Sequence, residues 1–203
     1  MSQRAPDGMA PARHAAPSTA PTPPVSDPML IARVLAGDDR HAFAELVRRH
    51  QSSVRTLLRR LARNDHGLAD DLAQDTFIQV HRNLRQFRGD AKFATWIYRI
   101  AYNVFLAHIR SARHLEELPE QFAEDDSGPS LARTTALKMD LSRAMAMLSE
   151  GERAAIIQCY YQDLSHEEAA YVLNCPLGTV KTNVARAKQK MRALLAAWSP
   201  GSS

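Results

Sequence analysis

Cysteine is scarce in this chain of 203 residues: Cys159 and Cys175 are the only two, and neither sits in a CxxC or Cys/His arrangement. That excludes a disulfide framework and a thiolate zinc site. Long apolar runs are missing as well; none approaches the roughly 18 residues a membrane-spanning helix needs, and no secretory signal is visible. A reduced, cytosolic protein with no membrane insertion is the expectation. The eight glycines build neither a phosphate-cradling loop nor a nucleophile elbow. His166-Glu167 opens like a zinc-peptidase motif, but Ala170 stands where the second histidine belongs. No metal, no cofactor and no catalytic residue is therefore expected, and the chain does not read as an enzyme.

Period-two alternation is also absent, so the chain reads as all-α. A neutral N-terminal stretch, residues 1–27, is rich in proline, alanine and serine and has little to bury; it reads as a disordered tail. Residues 28–110 carry a net charge of +6, residues 111–138 a net −3, and the cations of the last segment cluster after Val180. Two basic modules separated by an acidic connector suit a polyanion gripped at two places. The boundaries that follow are a first helical domain over 28–112, an acidic linker over 113–136 with Glu116, Glu117, Glu120, Glu124, Asp125 and Asp126, and a second helical domain over 137–197.

In the first domain, a helix capped by Asp27 should start at Pro28 and stop at Gly37, with Leu30, Ile31, Val34 and Leu35 apolar. A second should run from about Asp39 to Arg63, its stripe of Phe43, Leu46, Val47, Val54, Leu57, Leu58 and Leu61 interrupted by His50. After the turn Asn64-Asp65-His66-Gly67, a third should span about Leu68 to Phe87 and a fourth Phe93 to Arg110. The third opens with Asp70 and Asp71, which suit a helix dipole; with Gln74 and Asp75 they also make a polar, acidic patch on a basic domain.

Six of the 13 aromatic residues fall between Phe87 and Phe105. Phe93, Ile97, Ile100 and Val104 form one stripe of the fourth helix, while Trp96, Arg99, Asn103 and Arg110 share another face. A ring for stacking, cations for phosphates and an amide for a base edge suit unpaired DNA. The polar loop Phe87-Arg88-Gly89-Asp90-Ala91-Lys92 just before it could receive an extruded base.

In the second domain, a helix around Lys138 to Leu148 precedes a capping box at Ser149 and Glu152. Residues 163–192 then read as two helices with a tight turn. Ser165 and Glu168 form another capping box; Asn174, Cys175 and Pro176 break the first helix; Val180, Val184, Ala187, Met191 and Leu194 stripe the second. Its outer faces hold Lys181, Arg186, Lys188, Lys190 and Arg192 with Thr179, Thr182 and Asn183, side chains that reach phosphates and base edges. A helix-turn-helix regulator with a sensor or dimerisation domain would explain residues 148–192. It leaves the aromatic helix and the acidic connector unexplained.

Three segments, 69–77, 87–103 and 148–192, resemble the sigma-70 superfamily, and the two-domain size is similar to its extracytoplasmic-function (ECF) class of bacterial sigma factors. The resemblance implies an alternative sigma factor for a stress or envelope response, which binds core RNA polymerase and promoter DNA and catalyses nothing. It implies that Asp70, Asp71, Leu72, Gln74 and Asp75 dock on the β′ clamp helices. Phe87, Arg88, Lys92, Phe93, Trp96, Arg99, Asn103 and Arg110 would open and capture the −10 element. Thr179, Lys181, Thr182, Asn183, Arg186, Lys188 and Lys190 would read the −35 element. The second domain would rest on the β flap and the linker would thread the active-site cleft. An anti-sigma factor would hold the chain inactive, with sequestration at the inner membrane, and no obligate homo-oligomer is expected. Tyr102, Ala107, Asn183 and Cys175-Pro176 depart from common family residues, which bears on promoter preference rather than on fold.

Overall fold

The computed structural model describes residues 25–115 and 141–194. The expected tail up to residue 24, the connector from residue 116 and the start of the helix expected from Lys138 lie outside the described residues. The described residues contain helix and no strand. In the N-terminal part, α1 spans Asp27–Gly37, α2 Arg40–Leu61 and α3 His66–Asn83, followed by a 3-10 turn Leu84–Gln86 and by α4, Phe93–Leu115. In the C-terminal part residues 141–146 are helical; α5 spans Glu150–Ile156, a π-helical turn Ile157–Tyr161, α6 His166–Leu173 and α7 Leu177–Leu194.

The elements follow the expected stripes, with their ends set by local polar chemistry. Ser26, not Asp27, occupies the cap of α1. The Asp27 carboxylate instead reaches α2, accepting from Arg49 at 3.0 Å and pairing with His50 Nε2 at 2.8 Å. His50 thus interrupts the apolar stripe for a reason: it ties two helices, and its ring meets Phe93 edge-on at 5.4 Å. The stop of α1 is Asp38, left-handed at φ 52, while Gly37 is still helical. Asp39 caps α2 by accepting from the Ala42 amide at 2.9 Å. The turn before α3 falls earlier than its sequence suggests: Arg63 and Asn64 take positive φ, Asp65 is the cap, and His66-Gly67 already belong to the helix. Asp70 and Asp71 consequently lie beyond the first turn of α3, so their place is not explained by the helix dipole. Asp70 instead faces Arg55 at 3.3 Å and Arg59 at 3.7 Å on α2.

Leu46, Val54, Leu57, Leu58, Leu72, Val80, Leu84, Ile97 and Ala101 form the core that α2, α3 and α4 share. Both capping boxes of the C-terminal part are closed. The Glu152 amide donates to Ser149 Oγ at 3.3 Å while the Ser149 amide donates to Glu152 at 2.9 Å; Glu168 and Ser165 repeat this at 3.1 and 3.0 Å. Asn174 ends α6 in the left-handed conformation at φ 50, as its sequence neighbourhood requires. The two parts pack together. Ala154, Ile157 and Val172 belong to the same apolar cluster as the N-terminal core, with α4 against α6 and α2 against the π-turn.

Leu57 is fully buried in that shared core. Leu57→Ala is expected to lower the unfolding free energy by about 2–5 kcal/mol, read as a reduced urea midpoint with an unchanged slope.

Candidate nucleic-acid interface

Helix α7 is anchored by Val180, Val184 and Ala187, all buried, and Pro176 starts it by accepting from the amides of Thr179 and Val180. This fixes which side chains can leave the surface. Thr179, Lys181, Thr182 and Arg186 are exposed. The Thr182 hydroxyl donates back to the Gly178 carbonyl at 2.9 Å, which leaves its oxygen lone pairs for an outside donor. The remaining three expected reading residues are engaged at home. Asn183 is half-buried beside α5, its amide nitrogen only 3.1 Å from where a β-carbon on Gly151 would sit. Lys188 lies over the Tyr160 ring at 4.8 Å, and Lys190 pairs with Glu152 at 2.7 Å. Sequence spacing places both cations on the helix surface; it carries no sign of their partners on α5 and in the π-turn.

The Glu152 carboxylate is the hub of that arrangement. Buried, it takes the Lys190 ammonium and the Ser149 amide together, and these hold its carboxyl below the ordinary 4.5. A carboxyl depressed in the fold adds stability above its unfolded value and loses it as pH falls through the folded one.

In the N-terminal part the loop before α4 turns at Gly89, whose φ of +82 favours glycine. Arg88 and Lys92 beside it are exposed. Phe87, Phe93 and Trp96 form one aromatic cluster, with ring centroids 5.2 to 5.7 Å apart. Within it Phe93 is 6 % and Trp96 9 % exposed. The expected reading face of α4 therefore splits. Trp96 and Phe93 lie inside as the floor of the loop, Phe87 is half-buried, and Asn103 and Arg110 are exposed. Arg110 donates to the Leu106 carbonyl at 3.2 Å. Arg99 is half-buried beneath α6.

On α3, Asp70, Asp71, Gln74 and Asp75 are exposed. Leu72 is not part of that surface: at 3 % exposure it faces the core, because α3 needs it there beside Ala69 and Ala73. Asp70, Asp71 and Gln74 line a groove of about 590 Å³ between α2 and α3 whose floor includes Phe43, Val47 and Phe77. The groove was not visible in the sequence, although the exposed Ile78 at its rim breaks the expected polar face. The two thiols are free and partly buried, and burial pushes both upward, away from thiolate reactivity. Among the described residues no cluster of His, Cys, Asp or Glu could hold a metal ion.

A family model for Sigma-70 region 2 matches residues 46–115, and one for Sigma-70, region 4 matches residues 138–191. The chain is 34% identical over 172 residues to the ECF RNA polymerase sigma factor SigM of Mycobacterium tuberculosis, covering 84% of this chain and 85% of that protein. It is 33% identical over 179 residues to the ECF RNA polymerase sigma-E factor of Haemophilus influenzae, covering 81% and 93%. A match at 37% identity to the ECF RNA polymerase sigma factor SigE of Mycolicibacterium smegmatis covers 76% of this chain and 62% of that protein. Among solved structures, the sigma factor RpoE of Bartonella quintana, crystallised with the anti-sigma factor NepR, superposes with a TM-score of 0.63 at 27% identity. That alignment covers 76% of this chain and 96% of RpoE.

Removing the partner of Glu152 tests the electrostatic account of α7. The stability gap between wild type and Lys190→Met should be widest at neutral pH. It should close as pH falls from 4.5 through the depressed value of Glu152, followed as melting temperatures by circular dichroism.

Proposed function

The chain belongs to the sigma-70 family, in its extracytoplasmic-function class, and we propose that its exposed surfaces divide the work of promoter recognition as follows. It is an alternative sigma factor that binds core RNA polymerase and promoter DNA, under the control of an anti-sigma factor, and it is not an enzyme. The observation that carries the division is the presence, in family order, of a region 2 segment ending in α4 and a region 4 segment ending in α7.

The groove between α2 and α3, with Asp70, Asp71 and Gln74 on its wall and Asp75 beyond, is the docking face for the β′ clamp helices. Apolar side chains on the floor suit the apolar face of an amphipathic helix, and the charged wall, where Arg55 and Arg82 stand beside Asp70 and Asp71, suits polar residues of both signs along its flank. The α4 face of Arg99, Asn103 and Arg110, with Arg88 and Lys92 of the loop, handles the −10 strand. The aromatic cluster of Phe87, Phe93 and Trp96 opens to take a base. On α7, Thr179, Lys181, Thr182 and Arg186 enter the −35 major groove, and Lys188 and Lys190 follow as phosphate anchors held in advance by Tyr160 and Glu152. Asn183 contributes by fixing α7 against α5. The first domain extends from residue 28 to the end of α4 at Leu115, beyond the expected boundary at 112, and the second over 137–197, the second resting on the β flap and the linker between them following the polymerase cleft. The protein works in the bacterial cytoplasm in a stress or envelope response, and its anti-sigma factor retains it at the inner membrane.

Run-off transcription with purified core polymerase over fragmented genomic DNA tests this reading. Specific transcripts should need both core and this chain; their absence would overturn it. Asn103→Ala is expected to impair open-complex formation by permanganate footprinting while core binding stays largely intact. Lys188→Ala should weaken duplex binding about equally across sequences and lower the salt slope by about one.

A further inference from the structure

The apolar stripe of α2 is broken at His50, and the contacts of that imidazole reach from α1 to the aromatic floor of the loop before α4. Its Nε2 donates to Asp27 Oδ2 at 2.8 Å, and Arg49 donates to the other oxygen, Oδ1, at 3.0 Å. Both oxygens of the carboxylate are thus engaged, which fixes its plane. Arg49 is itself held by Glu45 at 2.8 Å. The His50 side chain is only 15% exposed, and a polar ring at that depth costs stability unless it is hydrogen-bonded. An apolar side chain would fill the place without that penalty.

The same imidazole meets the Phe93 ring edge-on, with centroids 5.4 Å apart and planes at 80°. Phe93 in turn stacks on Trp96 at 5.7 Å with planes 22° apart, and Phe87 closes against both. Among the described residues, Phe93 is the member of that trio that also meets a ring outside it. An untethered side chain at this position of α2 could turn about its own bonds whenever Phe93 moved. An imidazole held at Nε2 cannot. The hydrogen bond sets the rotation of the ring, as outer partners do for a ligating histidine.

We propose that Asp27 and His50 are positioning residues for base capture: Asp27 fixes the imidazole, the imidazole fixes Phe93, and Phe93 with Trp96 presents the ring surface on which an extruded base stacks. The proposal rests on the −10 reading above, since it concerns the aromatic cluster that reading assigns to the base. Neither residue touches the strand. Stacking needs the face of a base against the face of a ring. A Phe93 ring free to tilt loses part of that contact and must be ordered again at each capture. Helix α1 carries none of the residues assigned to DNA or to polymerase, yet two side chains join it to promoter opening.

Holoenzyme assembled from core polymerase and the full chain tests this on a promoter mapped by run-off transcription. The probe is the single-stranded non-template −10 element with 2-aminopurine placed at each position in turn, whose fluorescence is quenched on stacking. Wild type should quench it at one position. His50→Gln keeps an amide N–H for Asp27, and so the tie between α1 and α2, but removes the ring that meets Phe93. It should leave the melting temperature close to wild type, diminish the quench and weaken strand binding at least about fivefold. Asp27→Ala should act on the strand in the same way, whereas Asp27→Asn, whose amide oxygen still accepts from His50, should preserve quench and affinity. Undiminished quenching and affinity in His50→Gln would overturn the positioning role, because a tie that only joins helices survives that change. Should His50→Gln lose helicity by circular dichroism, the two Asp27 variants decide. Equal loss in both overturns the role, and a deficit confined to Asp27→Ala upholds it. No quench from wild type at any position overturns the base-capture reading itself.

Discussion

The burial of Phe93, Ile97 and Ala101 in the core shared with α2 and α3 is the contact on which the rest of the molecule depends. It sets the rotation of α4, and that rotation decides which residues remain outside. With a helical repeat of about 3.6 residues, fixing 93, 97 and 101 inward leaves 99, 103 and 110 for other partners. The aromatic floor of the loop, the position of Arg99 under α6 and the exposure of Asn103 all follow from it. α4 is thus a core helix on one side and the proposed nucleic-acid helix on the other, with little sequence to spare for a third purpose.

Two kinds of information differed in how plainly the sequence displayed them. Stripes of apolar residues and short-range caps were legible because their physics is local. Ser149 with Glu152, Ser165 with Glu168, and Asn174 as a left-handed stop are each fixed within a few residues. The cap of α1 escaped because Asp27 is engaged with Arg49 and His50, more than twenty residues away, and nothing in the neighbourhood of Asp27 shows that. A contiguous motif groups Leu72 with its polar neighbours. A motif is one-dimensional, and helical geometry turns one of its members inward while the others stay out.

The same distinction runs through the residues proposed to face DNA. Spacing alone identified the exposed side of α7, but Lys188 and Lys190 are pre-positioned by Tyr160 and Glu152, and Asn183 sits against α5. These are tertiary facts, set by how α5 and the π-turn cross α7. On α4, sequence placed Trp96, Arg99 and Asn103 on one face, and fold geometry then graded them from buried to exposed. What the sequence could not contain was the opposing domain, whose α6 supplies a ring and an amide to Arg99.

The adjacent rings of Tyr160 and Tyr161 point to a further consequence. Tyr160 holds Lys188 of its own domain, whereas Tyr161 holds Arg60 of the other. Parting the domains would leave the first pair untouched and free the second, together with Arg99. The opened N-terminal part would then carry guanidiniums without protein partners that the closed part does not display. On a nucleic acid each such cation displaces about one condensed counterion. Ionic strength thereby acts on the equilibrium between the two arrangements whenever DNA is present, with dilute salt favouring the parted form.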